Sequence, residues 1–496
     1  MKKSSRRRWI KTAMAGGAGA AMAAGRATAE GPQRGPMVGI QVGAISFLDE
    51  GVDAVLDNLQ KLGAVNTLFV ATFTYGRGLA GRQVPGVPFP DHGRQEEDRN
   101  FRGGFYTTPH PQYFRDTALK PEHAAEIPAD FDVLERILPR TRTRGLKVYC
   151  WYEDVFRADT PGFAEAAEVD LHGRPGGRPC YRNPQVRAFW LGQVEDYLRS
   201  YEVDGLMFGS ERQGPLNNAL GASHGGGSSD PGRVGCFCPH CLAAARQEGI
   251  NAERARTGYL ELEKLVNALR KGSRPSDGAF VSFWRILVNY PEVLAWERLW
   301  TEGLRDTYRA QFQRAHAIRP GARIGWHIWH NNTFSPFYRA EQDYAELSKT
   351  ADFFKVVMYN NCGGPRMASY VQSVSRTVFA DFPAEEVLAM NYRIQQLAER
   401  RLAEIPTRGL SADYVFRETR RALATTGAST AVWPGIDIDI PTSRNDKQTV
   451  PDDVYDAVTA AFSAGAPGVI LSRKYSEMKL ANLQAAGRAV RDLRLA

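Results

Sequence analysis

Within residues 203 to 241 the sequence sets a glutamate at the end of a strand-like run, VDGLMFGSERQG, and then three cysteines in CFCPHC. A carboxyl at a strand mouth can hold or take a proton, and thiolates at this spacing can hold a metal. Alternate side chains of a strand face opposite ways. Leu206 and Phe208 therefore share one face, while Gly205, Met207, Gly209 and Glu211 share the other. Bulk on one side and little on the other suits a barrel strand with helices outside and a tight interior. Glu211 then falls at the carboxyl end of the strand, where barrel enzymes place their chemistry. On the strand alone, a solvated glutamate opening a loop fits equally well.

Cys236, Cys238 and Cys241 form C-x-C-x-x-C, and Cys180, in RPCYRNP, is a candidate fourth ligand. Four thiolates around one tetrahedral ion leave no open position, so the expected role is structural zinc. Thiols one residue apart fit a disulfide poorly. Buried free cysteines, or a Cys236 to Cys241 disulfide, are the other readings these residues leave open.

With these residues in view the chain resembles the family 42 glycoside hydrolases, the zinc-containing β-galactosidases of the clan A barrels. In that family a cysteine shortly before the fourth strand joins a C-x-C-x-x-C cluster just after it, and the strand ends in Asn-Glu. The resemblance implies that Cys180, Cys236, Cys238 and Cys241 are the zinc ligands and that Glu211 is the acid/base. Ser210 departs from the family's Asn, which helps hold the sugar's 2-hydroxyl. Over nearly the whole chain the sequence is also similar to bacterial proteins described as hypothetical glycosyl hydrolases. The stretches FTYGRG, TTPHPQYFR, CWYEDVF, GWHIWHNN, VWPGIDIDIP and VILSRKYSEM carry that likeness. It implies a fold and a reaction class rather than a named sugar.

Glycoside hydrolysis usually needs two carboxyl groups flanking the scissile bond, and the resemblance places the second on the seventh strand, in VWPGIDIDIP. By alternation Ile436, Ile438 and Ile440 face one side, while Trp433, Gly435, Asp437 and Asp439 face the other. Asp437 is the expected nucleophile or base and Asp439 its substitute, where clan A has glutamate. Other strand ends supply polar and aromatic groups: Glu153 and Asp154; His327, Trp329 and His330; Tyr359 and Asn360; Arg473 and Lys474. Together with Trp433 and Asp439 they make the expected saccharide-binding set, since sugars offer apolar C–H faces and rings of hydroxyls. A strand Trp also suits a core, and a single His a structural role. His327 and His330 stand three apart, which on a strand points them to opposite faces and argues against a shared catalytic metal. His92 and His110, on a loop, either cap the pocket or are ordinary loop residues.

Eight strand candidates can be counted, at 37–47, 66–75, 146–156, 203–211, 323–331, 352–360, 429–439 and 466–475, with helical patterns between most of them. Alternating strand and helix predicts a parallel sheet, and eight units predict an α/β fold, a closed (β/α)8 TIM barrel. An open doubly wound sheet is the rival, but no Gly-rich phosphate loop follows the first strand. Two long insertions are expected, at 76–128 after the second strand and at 212–320 after the fourth, the latter carrying the cysteine cluster. The barrel domain spans residues 30–496.

Residues 1–29 read as a twin-arginine signal peptide. Ser5 to Lys11 match S-R-R-x-[FW]-[LI]-K, a weakly apolar Ala/Gly run follows, and Ala27-Thr28-Ala29 precedes Glu30. The run is too short and too weak for a stable membrane span. This leader holds seven of the chain's 63 basic residues and none of its 55 acidic ones, so the +8 net charge falls to +1 without it. Nothing then favours nucleic acid or an anionic membrane as partner. Cys150 and Cys362 remain as singles, expected to be buried.

The resulting expectation is a periplasmic or secreted glycoside hydrolase acting on an oligo- or polysaccharide, with structural zinc and no organic cofactor. The alternatives are a non-catalytic carbohydrate-binding barrel, or a lyase or isomerase on acidic sugars with Arg473 and Lys474 holding the carboxylate.

Overall fold

The computed structural model describes residues 35–76, 80–82, 89–225, 230–440 and 442–495. The expected signal peptide, residues 1–29, lies outside them. Eight strands, β1 (Met37–Gly43), β2 (Thr67–Thr74), β3 (Lys147–Glu153), β4 (Gly205–Gly209), β5 (Arg323–Ile328), β6 (Phe353–Val357), β7 (Ala431–Asp437) and β8 (Gly468–Ser472), run parallel to their neighbours. β1 pairs with both β2 and β8, so the sheet closes into a (β/α)8 barrel. Each expected strand is present but shorter than its apolar run. The first stops at Gly43, and Ala44–Glu50 is helical rather than extended. Past the last ladder the backbone turns to bond with loops and carboxylates, as where Ile440 N–H meets Asp437.

The outer layer follows from amphipathic stripes and caps. Crossover helices are α1 (Val52–Lys61), α2 (Val133–Thr143), α3 (Pro184–Ser200), α4 (Glu292–Ile318), α5 (Ala412–Thr425) and α6 (Pro451–Ser463), and α7 (Leu480–Asp492) follows β8. α1 turns Val55, Leu56 and Leu59 inward. Asp132 caps α2 by accepting from Leu134 N and Glu135 N, and Asn183 caps α3 just before Pro184. Both satisfy amides that have no partner within the helix. Among the described residues no helix is long and apolar enough to cross a membrane.

Phe208 faces outward against Trp190 and Tyr308, with ring centroids 4.9 and 5.9 Å away, as alternation on β4 requires. Inside, Phe69, Tyr149, Phe353 and Trp433 stack into a floor, with Phe353 and Trp433 4.4 Å apart. Arg323, the first residue of β5, lies 4.9 Å above the Trp433 ring. Trp433, expected in the pocket, is thus placed in the closed lower layer of the barrel.

The excursions differ from those expected. The end of the 212–320 span is α4, the barrel's own crossover, so the insertion proper ends before Glu292. A further excursion, not anticipated, lies between β6 and α5 and contains helices Gly363–Val374 and Ala384–Gln395. On the loop after β2, His92 bonds Glu50 at 2.9 Å and the Met478 carbonyl at 2.8 Å, and His110 bonds Asp196 at 2.7 Å. Both are loop clamps.

Candidate active site

Glu153 ends β3, and Glu211 lies two residues past β4. The register sets Glu153 beside Gly209, where an added Cβ would come within 2.8 Å of the Glu153 Cγ. A glycine there makes the space that Glu153 fills. Trp151 Nε1 donates to Glu153 Oε1 at 3.0 Å and orients the carboxyl. Glu153 is buried, whereas the side chain of Glu211 keeps 46% exposure and so meets whatever enters the mouth.

Behind Glu211 runs a chain of polar contacts. Lys355, fully buried on β6, donates to Gln41 Oε1 and Tyr359 OH, each at 2.6 Å, and to His327 Nδ1 at 3.3 Å. With Nδ1 accepting, the imidazole proton sits on Nε2 and is donated to Glu211 Oε1 at 3.2 Å. Burial, then the charge of Lys355, brings the His327 pKa down to about 4, so its ring is neutral at pH 7. Burial also lowers Lys355 to about 7, against the pull of Glu153 and Glu211.

These surroundings drive the two carboxyls apart. Burial and the charge on Glu211 raise Glu153 to about 8, although Lys355 opposes them. Loss of water at the mouth pushes Glu211 up, but the hydrogen bond from His327 and the charge of Arg366 outweigh it and hold the carboxyl below its ordinary 4.5. At neutral pH one carboxyl holds a proton and its neighbour is ionised, a division of roles used in acid–base catalysis.

Asp437 points inward as alternation predicts, but it is fully buried and both oxygens are engaged. Oδ2 accepts from Cys362 N at 2.8 Å and Oδ1 from Ile440 N at 3.2 Å, tying together the loops after β6 and β7. Burial raises its pKa to about 6. Asp439 accepts from Lys479 N and Asn482 Nδ2, each at 2.8 Å, and anchors the start of α7. Arg473 bonds Glu477 through Nη2 at 2.6 Å and Nε at 3.1 Å. Lys474 donates to the carbonyls of Gly81 and Arg82 at 2.6 and 3.2 Å, clamping the loop after β2.

Trp329 is half-buried at the mouth, 5.0 Å from the His224 ring. His330, off the strand, joins Tyr414 OH and Arg366 Nη1, each at 3.1 Å, so it shares no partner atom with His327. Tyr359 accepts from Lys355, and Asn360 is buried with its side-chain oxygen unpartnered among the described residues. Gln41, His224, Lys355 and Arg366 were not anticipated. Lys355 leaves one signal, a lone cation at an inward position of DFFKVVMY; the other three leave none.

Asp154 is drawn away from the pocket into a buried network. Its Oδ2 accepts from Arg212 Nη1 at 3.0 Å, Ser210 Oγ at 3.3 Å and Tyr181 OH. Arg212 also pairs with Glu168 at 2.5 Å and donates to the Pro179 carbonyl at 2.8 Å, beside Cys180. Ser210 and Arg212 flank Glu211, so this network fixes the backbone that carries it. Its far side is the cysteine cluster. The sulfurs of Cys180, Cys236, Cys238 and Cys241 are all buried and lie within 4.8 Å of one another. Cys180 is 3.5 Å from Cys241 and 3.6 Å from Cys238. Ligands at about 2.3 Å from a tetrahedral ion stand about 3.8 Å apart, so the donor set fits a metal, while the separations are too long for disulfides. Cys150 and Cys362 are free and buried.

No protein-family model matches the chain, and no curated protein matches it. Among solved structures it is similar to a β-galactosidase from the Antarctic haloarchaeon Halorubrum lacusprofundi, with a TM-score of 0.50 and 13% identity over 92% of this chain and 58% of that one. An α-L-fucosidase isoenzyme 2 from Paenibacillus thiaminolyticus gives 0.47 and 13%, over 93% and 49%. A glycoside hydrolase domain from Bordetella bronchiseptica gives 0.47 and 12%, over 92% and 98%. The chain spans about half the length of the fucosidase and 58% of the haloarchaeal enzyme. At such identities the likeness is one of fold. Fold and mouth together define a closed (β/α)8 barrel with a carboxyl pair at its carboxyl-terminal end.

Proposed function

We propose that the protein is an exported glycoside hydrolase in which Glu153 is the general acid and Glu211 the ionised partner. The observation that carries this reading is the pair itself: a buried carboxyl at the end of β3, its pKa raised by burial and by the charge of Glu211, and an exposed one after β4 that His327 Nε2 bonds. Glu153 passes its proton to the glycosidic oxygen as the C–O bond breaks. Glu211 either attacks the anomeric carbon or takes a proton from the water that does. His327, held by Lys355, keeps Glu211 ionised. Asp437, expected in this role, serves in our reading to tie together the loops after β6 and β7, because its oxygens already accept two backbone amides. Zinc in the cysteine cluster supplies no chemistry to the reaction; Cys180, Cys236, Cys238 and Cys241 would hold it, and it would stiffen the insertion beside Glu211.

Product release from a panel of aryl glycosides and of plant and bacterial polysaccharides tests this, with the wild-type protein beside Glu211→Gln. The reading predicts turnover of at least one substrate and a loss of about 10²-fold or more in the variant. Saccharide binding without turnover, unchanged by the substitution, would instead make the protein a carbohydrate-binding barrel.

A further inference from the structure

The wall of the mouth nearest β5 and β6 carries a cation that the catalytic reading leaves without a full complement of partners. Arg366, on helix Gly363–Val374, is half-buried and bonds His330 Nδ1 through Nη1 at 3.1 Å. Its guanidinium also lies 5.9 Å from the Tyr359 ring centroid. Among the described residues no carboxylate pairs with it within 4.0 Å. A guanidinium offers five N–H donors in a planar fork suited to carboxylate or sulfate. The arginine and lysine expected to hold an acidic sugar differ: Arg473 is bidentate to Glu477, and Lys474 is held by Gly81, Arg82 and Glu477.

His224 completes this wall. Its ring packs on Trp329 and stands 6.3 Å from His330, and its Nε2 is buried with no hydrogen-bond partner among the described residues. Burial and the charge of Arg366 hold the ring neutral, so that nitrogen is available to a sugar hydroxyl. An unpaired buried polar atom is costly unless a ligand completes it. Trp329, His330, Arg366 and His224 therefore form a continuous surface with an aromatic face, a fork of donors and an open ring nitrogen.

Building on the reading of this mouth as a saccharide site, we infer that its sugar carries a carboxylate, which Arg366 holds, with His224 on a neighbouring hydroxyl. Arg366, rather than Arg473 or Lys474, is then the residue that separates acidic from neutral sugars. A site built around such a group discriminates strongly against sugars that lack it.

Calorimetric titration of the full chain with D-glucuronate, D-galacturonate, D-glucose and D-galactose tests the inference without turnover. The expected result is a uronate affinity about tenfold or more above that of the matching neutral sugar, a ratio that falls to about one in Arg366→Gln. Arg366→Lys, which keeps the charge and loses the fork, should retain only part of the preference, and it serves if the Gln variant fails to fold. Equal affinity for acid and neutral sugars, or a preference that survives both substitutions, overturns the inference. That outcome leaves the hydrolase reading standing, whereas failure of all four sugars to bind, with no glycoside turned over, removes both.

Discussion

Glu153 and Glu211 differ in environment more than in chemistry, and the difference has consequences that pH can read. Glu153 must hold its proton to act as an acid, so kcat/KM should fall as pH rises through about 8, while Glu211, held below its ordinary 4.5, stays ionised. Stability carries the same signature. A glutamate raised from its ordinary value of 4.5 to about 8 binds a proton in the folded state that the unfolded chain has released. Its contribution is fully present below pH 4.5 and is lost as pH climbs toward 8. Glu153→Gln should accordingly raise Tm relative to wild type more at pH 8 than at pH 4, as thermal melts at the two pH values would show. Part of this was legible in the sequence. Glu153, Glu211 and Asp437 all appear as acids at strand ends, and alternation correctly turns Asp437 inward. The amides of Cys362 and Ile440 that occupy its oxygens belong to loops with no periodicity, so the sequence offered no reason to prefer Glu153 over it.

The eight strands could be read as apolar runs because a barrel interior filled by side chains demands them, but their ends could not. Residues past each ladder stay apolar or aromatic while their backbones leave the sheet. Trp433 shows how depth escapes such a reading: its inward direction follows from alternation, yet its level in the barrel depends on register with Phe353 and Lys355. Trp433→Ala should cost about 3–5 kcal/mol in denaturant unfolding, by emptying a packed floor, and leave saccharide affinity unchanged. Cys236, Cys238 and Cys241 were legible as a set from spacing, and Cys180 joined them as a candidate that the family resemblance implied. The Asp154–Arg212–Glu168 network that joins them to Glu211 was not, since its members come from three separate elements. If that network transmits rigidity from the metal, Cys238→Ser should remove one zinc per chain by mass spectrometry. It should also lower Tm by several degrees and reduce turnover although Cys238 touches no substrate.

The whole molecule combines a closed barrel with an anchored insertion, and residues 1–29, outside the described residues, are proposed to be a basic export leader. Export in the folded state would let the cysteine cluster take up zinc before crossing the membrane. Replacing Arg6 and Arg7 with Lys should therefore hold the protein in the cytoplasm, as cell fractionation would report. The acid assignment can be tested through leaving groups, because a good leaving group departs without a proton and a poor one does not. We would compare Glu153→Gln and Glu211→Gln on aryl glycosides whose phenols span a wide range of acidity. The account predicts that Glu153→Gln loses about 10²-fold or more on poor leaving groups but little on 2,4-dinitrophenyl glycosides, while Glu211→Gln fails on both. Equal losses by Glu153→Gln on both kinds of substrate, or no loss at all, would contradict it.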